Sequence, residues 1–369
     1  MEISKPVIFK SREEAPADAI VVDAFSSALE ELFFVQNPNL KKVMPEAQDP
    51  LQIFLKNNTE QGVWIYYPWR NTVVHSLPED IYFRLRTARN RNIIRDEEQE
   101  KYRQTTVGVA GLSVGSAAIY ALAVRGGPKH LKIADFDVLE VTNLNRIRGT
   151  LLDIGKNKTE VSARLIWELD PFAELHLWDM GVTRETLEDF IIGEPRLDIF
   201  IDEMDSLDLK VLSRFACKRH KVPALMATDN GDGIILDVER FDQEPDRPIF
   251  HGLVGDMKAE DLKDLDFKKW LELATKIVGP TYLTERMQES LVDMGKRISA
   301  VPQLGTTAAV AGSAIAYAVR RIANKQDFPS GRYTFGFEEK LIPHYMEPDQ
   351  VKIRQEKTQQ FIDAFGRKK

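Results

Sequence analysis

TTVGVAGLSVGSAAIYALAVRGGPKHLKIAD, residues 105–135, decides the fold. TTVGVAG reads as an apolar strand, SVGSAAIYALAVRG as a helix and LKIAD as a second strand. The same alternation continues downstream: KTEVSARLIWELDP as helix, ELHLW as strand, RETLEDFI as helix, LDIFID as strand, SLDLKVLSRFACKRH as helix and VPALMAT as strand. Strands alternating with helices through short Gly/Asp/Asn turns predict an α/β fold, a doubly wound, mostly parallel sheet covered on both faces. Ligands of such sheets bind beyond the carboxyl ends of the strands.

Working outward, residues 1–90 read as a small α+β module. DAFSSALEELFFVQNP has helical spacing at Leu29, Leu32 and Phe33. Asp49 is placed to cap a helix with Pro50 at its first position. GVWIYYP and NTVVHS predict two strands around the turn Pro68 to Asn71. Ser76 to Glu79 has the pattern of a capping box. Residues 91–325 hold the alternating pattern and end in a helix of small residues, VPQLGTTAAVAGSAIAYAVRRIA, suited to close packing. Residues 326–369 form a charged extension with a helix.

Composition narrows the function classes. Of 369 residues 43% are hydrophobic, enough for a sizeable core. A net charge of −7 argues against a broad electrostatic grip on nucleic acid. The single cysteine, Cys217, forms neither an internal disulfide nor a Cys-rich zinc site. The N-terminus carries no apolar signal core and no run is long enough to predict a membrane helix, so a cytoplasmic protein is expected.

Four polar clusters fall at predicted strand ends. The turn VAGLSVGS contains Gly111, Ser113 and Gly115 and aims backbone N–H groups at an anion, although such turns also arise for steric reasons. IADFDVLEVTNLNR, residues 133–146, brings Asp135, Asp137, Asn143, Asn145 and Arg146. Asp135 ends the second strand 24 residues after Gly111, where a nucleotide-binding fold places a carboxylate on ribose hydroxyls. A guanidinium beside a nucleotide neutralises phosphate. DIGKNK places Lys158 at a helix N-terminus, an adverse position for a cation that suggests a phosphate contact; Lys156 reads as a surface residue. Asp202 and Asp205 leave the end of LDIFID, where Asp205 serves a metal or phosphate site or caps the next helix.

DFDVLEVTNLNR resembles the DxDxVxxSNLxRQ motif of the ThiF/MoeB/ubiquitin-activating-enzyme superfamily. The family's G..K pair lies at Gly155 and Lys158 and its D..D pair at Asp202 and Asp205, in the same order. ARNRNIIRDEEQEKYRQTTVGVAG is similar to the segment that carries the family's arginine, here Arg91, and the small-residue helix is similar to the family's closing helix. The resemblance covers roughly residues 88–325. LDVERFDQEPDRPIFHGLVGD further resembles a bacterial ThiF-like subgroup, some of whose members are fused to a nitroreductase-like domain. Ala110, Leu112 and Ser113 stand where the family's turn carries glycines, and Ile147 replaces its glutamine.

The resemblance implies a Rossmann-like adenylation domain that binds ATP and Mg²⁺ and converts a carboxylate to an acyl-AMP. It implies that Asp135 holds the ribose, that Asn143, Arg146 and Lys158 contact phosphates, and that Asp205 positions Mg²⁺. The glycine turn (Gly111, Ser113, Gly115) and Asp137 complete the nucleotide-binding set. Arg91 would act in the other subunit of a homodimer. The carboxylate is expected on a ubiquitin-like protein, a peptide or a small acid. No cysteine follows Cys217, which itself reads as a buried helix residue, so no thioester step is expected, and no zinc. Three alternatives stay open: adenylation-driven transfer RNA modification, as in threonylcarbamoyladenosine dehydratases; an NAD-dependent oxidoreductase, which leaves Arg146, Lys158 and Asp205 without a task; and a non-catalytic nucleotide-binding module. His251 and the carboxylates of TDNGDG (228–233) read as structural loop residues with a substrate-cleft role as the alternative, and the arginines at 84, 86, 89, 91 and 95 as a solvated face or an RNA contact.

Overall fold

The computed structural model describes residues 3–59, 61–262 and 267–366. By compactness the chain divides into Met1–Glu100 with Arg164–Ala173, and Lys101–Ala163 with Glu174–Lys369.

The first unit contains a four-stranded sheet of β1 (Val7–Phe9), β2 (Ile20–Asp23), β3 (Val63–Tyr67) and β4 (Thr72–Ser76), in the order β1-β3-β4-β2. The expected hairpin is present, with Val63 paired to Ser76 and Asn71 in the left-handed region at φ 43°. Helices α1 (Phe25–Gln36), α2 (Gln48–Asn58) and α3 (Glu79–Arg86) belong to this unit. Leu29 and Leu32 of α1 are buried with Leu77, and Phe33 is buried too, as their spacing predicts. Two caps differ from expectation. A 3-10 turn at Pro45–Ala47 runs straight into α2, so Asp49 and Pro50 lie inside the first turn, where the carboxylate favours the helix dipole without capping it. Ser76 is the last residue of β4 and Pro78 stands at the start of α3, so no capping box forms. The short edge strands β1 and β2 carry no period long enough to read from sequence.

Helix α4 (Asp96–Gln104) precedes the large sheet of the second unit. Its strands are β5 (Thr106–Ala110), β6 (His130–Ala134), β7 (Glu174–Trp178), β8 (Ile199–Asp202), β9 (Ala224–Asn230), β10 (Gly233–Glu239) and β11 (Gly331–Gly336). Their order is β11-β10-β9-β8-β5-β6-β7. The five strands from β9 to β7 run parallel, and β10 is antiparallel to both neighbours. β5 is buried throughout, as a central strand of a covered parallel sheet must be. Helices α5 (Val114–Val124), α6 (Lys158–Leu169), α7 (Leu187–Ile192) and α8 (Leu207–His220) follow β5 to β8 in turn. After α9 (Phe267–Val278) and α10 (Glu285–Asp293), α11 (Gly305–Ala323) is the small-residue helix. A Cβ on Gly312 would fall 2.5 Å from the Ala117 backbone of α5, so the two helices approach at a distance only glycine permits. The charged C-terminal segment supplies β11, which extends the sheet beside β10, then α12 (Phe337–Leu341) and α13 (Pro348–Gly366).

Chain order runs from β5 outward to β6 and β7, then returns to β8 on the other side of β5. The crevice at the carboxyl ends of β5 and β8 is therefore the topological switch point, where such sheets bind ligands.

Candidate functional site

The turn after β5 is built around Gly111. Its φ is +90°, and a Cβ there would lie 2.2 Å from the Glu203 carbonyl oxygen, so the loops leaving β5 and β8 touch across this glycine. Leu112, at a position read as a missing glycine, turns its side chain fully inward, while its N–H donates to Asp135 Oδ2 at 2.6 Å. Asp135 Oδ1 accepts from Asp137 N at 2.8 Å. Burial pushes the Asp135 carboxyl above the usual range, opposed by these N–H groups and the Lys158 ammonium. Ser113 precedes α5 without capping it by its side chain, and a Cβ on Gly115 would press Val109 at 3.0 Å.

The loop from β6 to α6 carries the cations. Arg146 Nε donates to Ser113 Oγ at 2.9 Å, and its Nη1 donates to Asn145 Oδ1 at 2.9 Å and Thr142 O at 3.2 Å. Asp229 and Asp205 both act electrostatically on this guanidinium. Ser113 Oγ donates to Gln303 Oε1, and Asn145 Nδ2 donates to Gln303 O at 2.7 Å, so the segment before α11 reaches back to the turn after β5. Asn143 is buried, and its Oδ1 accepts from Glu140 N at 3.0 Å, a bond that shapes the loop. Lys158, 7% exposed, donates from Nζ to Asp137 Oδ2 at 2.7 Å. Asn157, which the sequence reading passed over, accepts from Thr159 N at 2.7 Å as an N-cap and donates to Asp135 O and Asp179 O. Its residue type just before a helix was the available signal. Lys156 pairs with Asp153 nearby.

At the end of β8 the two aspartates separate. Asp202 is fully buried, paired with Arg214 and Lys210, and Arg214 continues to Glu239 at 2.9 Å. Asp205 is exposed; Ser206, not Asp205, stands at the N-cap of α8, and no side-chain cap bond is made. Among the described residues no hydrogen bond or ion pair engages its carboxylate. Glu203 accepts from Ala227 N at 2.8 Å, and burial drives its carboxyl well above the usual range.

Ser113, Asp135, Asp137, Lys158, Glu203 and Asp205 line one cleft of about 100 Å³, and Arg146 joins it through Ser113. A larger cavity of about 470 Å³ lies between α13 and the β9–β10 turn, but the charged groups described above are at the smaller cleft. The arrangement offers two cations, one free carboxylate and a glycine turn, which suits a polyphosphate with a hard divalent cation. No group of three or more His, Cys, Asp or Glu side chains among the described residues forms a metal site by itself. Mg²⁺ needs none, since it is held by one or two carboxylates plus substrate phosphates.

Arg91 is half exposed in the first unit, 3.9 Å from Asp96. Cys217 is fully buried, and burial raises its thiol. His251 accepts from Arg247 Nη2 at Nδ1, so its Nε2 carries the proton and donates to Asp237 at 2.8 Å, a structural role. Within TDNGDG, Asp229 is 7% exposed, and neither carboxylate oxygen has a hydrogen-bond partner among the described residues. No helix among the described residues is long and apolar enough to cross a membrane.

A family model described as the ThiF family matches residues 87–356. The chain is 38% identical over 325 residues to an uncharacterized protein of Mycobacterium tuberculosis, covering 87% of this chain and 44% of that protein. It is 30% identical over 166 residues to the tRNA threonylcarbamoyladenosine dehydratase of Bacillus subtilis, covering 43% of this chain and 64% of that protein. The chain thus spans less than two thirds of either relative. Among solved structures, TcdA (CsdL) aligns with a TM-score of 0.49 at 19% identity, over 68% of this chain and 98% of that one. Escherichia coli MccB with ATP aligns with a TM-score of 0.46 at 16% identity, over 84% and 87%.

Proposed function

We propose, from the premise that this chain belongs to the ThiF family, that it adenylates a carboxylate with ATP, without a covalent cysteine step. The observation that carries this reading is the convergence of Lys158, Asp135, Asp205 and the Gly111 turn on one cleft, with Arg146 bonded to its wall. A carboxylate is a poor electrophile. Its attack on the α-phosphate of ATP forms a C–O–P bond and releases pyrophosphate. Two anions must approach each other, so the protein's task is charge neutralisation and alignment.

In this proposal Asp135 accepts the ribose hydroxyls, as its place at the end of β6 suits. Lys158 leaves Asp137 for a phosphate, and Arg146 leaves Ser113 to clamp another. A cleft of about 100 Å³ is smaller than an ordinary ligand pocket of roughly 300 Å³ or more. Nucleotide entry therefore parts the Arg146–Ser113–Gln303 chain. Asp205, whose carboxylate makes no hydrogen bond or ion pair among the described residues, would hold Mg²⁺, which when bound neutralises the phosphate oxygens. Arg91 would serve the site of a second subunit in a homodimer. Cys217 is too deeply buried to carry an acyl group, so the adenylate is attacked directly by its acceptor. The carboxylate belongs to a peptide or protein C-terminus or a small acid. The 30% identity to a tRNA threonylcarbamoyladenosine dehydratase favours a second reading, a carboxylate carried on transfer RNA; salt-dependent RNA binding would reveal it.

Exchange of labelled pyrophosphate into ATP, measured with short free-carboxylate peptides, small acids and transfer RNA, tests the reading. At least one class supports exchange, and Lys158→Ala lowers its rate by about 100-fold. Equal rates for wild type and variant with every active substrate would refute the assignment.

A further inference from the structure

Asp229 is a buried charge of the second unit. It sits near the carboxyl end of β9, one strand beyond the β8 end that carries Asp205. The backbone around it is held firmly. Asn230 Nδ2 donates to Tyr282 O at 2.8 Å, its Oδ1 accepts from Thr284 N at 2.9 Å, and Thr307 Oγ1 donates to Gly231 O at 2.8 Å. On the adjacent strand its register partner is Ile234. Its carboxylate is nevertheless buried, and neither oxygen has a partner among the described residues. Such a group costs the fold free energy unless a donor reaches it. Arg146, from the β6–α6 loop, lowers it against burial, and Asp229 in turn raises the carboxyl of Glu203 at the end of β8. Arg146 spends its own bonds on Ser113, Asn145 and Thr142. A rigid frame thus surrounds an acceptor that has no donor among the described residues, and the arginine of the phosphate cleft acts on it electrostatically.

From this geometry we propose that Asp229 receives the amine that accepts the acyl group, and takes its proton during transfer. The proposal rests on the adenylation reading and adds the acceptor's chemical class and the residue that activates it. The amine nitrogen attacks the acyl carbon of the adenylate and a C–N bond forms. The C–O bond to the phosphate breaks, AMP leaves with that electron pair, and the N–H proton passes to an Asp229 oxygen. Burial pushes the Asp229 carboxyl up to about 6, with Arg146 opposing, which leaves it ionised yet basic near neutral pH.

Two rates measured on the full chain test this: pyrophosphate exchange with the free-carboxylate peptides that support it, and transfer of the same acyl group to glycinamide. Asp229→Asn slows transfer by about 100-fold and lowers the ratio of transfer to exchange by at least about tenfold. Wild-type transfer rises with pH through about 6, and the variant loses that limb. Asp229→Glu, which keeps a carboxylate, recovers part of the transfer rate. If transfer and exchange fall together, or neither falls, Asp229 is not the base. If the wild type shows no exchange with any carboxylate, the adenylation reading itself fails and this inference falls with it.

Discussion

Strands β9 and β10 form one antiparallel ribbon that buries an aspartate toward each end, and the two are treated in opposite ways. Asp237 on β10 is 1% exposed and fully satisfied. Arg332 donates to it twice, at 2.6 and 2.9 Å, and His251 donates at 2.8 Å. Burial alone would raise its carboxyl, but these bonds outweigh burial and hold it below the usual range. Asp229 on β9 is 7% exposed and has no bonded donor among the described residues, so burial wins and its carboxyl rises to about 6. The strands are hydrogen-bonded throughout and the burial is similar. The difference lies in what the rest of the chain brings. At the Asp237 end β11 contributes Arg332 and the loop after β10 contributes His251. At the Asp229 end, beside the ligand crevice, the described residues bring the field of Arg146 and the carboxyl of Glu203 but no donor. A carboxylate satisfied by its own fold supports structure; one left open awaits a ligand.

Removing Asp237 should break the comparison most severely. Asp237→Ala strands the Arg332 guanidinium in a buried position, and breaking a buried pair costs about 3 to 5 kcal/mol. Urea denaturation of the variant checks this; a loss under about 1 kcal/mol would mean that the network contributes little. The opposite sign is expected at the other end. Asp229 is raised from 3.8 to about 6 in the folded state. The folded chain therefore holds its proton at pH values where the unfolded chain has released it, and wild-type stability falls as pH rises from about 4 to 6. Asp229→Asn removes that penalty and gains about 2 to 3 kcal/mol at pH 8, with no gain at pH 4. Denaturation at both pH values measures it, and a variant less stable than wild type at pH 8 would show that Asp229 is a structural group after all.

The sequence carried more of the frame than of the site. Strand–helix alternation, the glycine turn and the positions of Asp135, Lys158 and Asp205 at strand or helix ends follow from local pattern, because each depends on a few neighbouring residues. What stayed hidden depends on distant ones. β11 joins β10 after more than ninety intervening residues and has no local mark of pairing. Gln303 meets Ser113 across 190 positions. The isolation of Asp229 is a statement about donors that fail to arrive, which no spacing encodes. The misread caps at Asp49 and Ser76 have a simpler cause: a neighbouring turn in one case and a strand ladder in the other claimed the residue first.

Calorimetric titration with ATP and Mg²⁺, set against NAD, tests the central claim most directly, since it needs no knowledge of the carboxylate. Saturable ATP binding, weakened about tenfold or more by Lys158→Ala through loss of one charge-assisted bond, and no heat with NAD, is the expected result. NAD binding as tightly as ATP, or a Lys158→Ala variant that binds ATP like wild type, would contradict it.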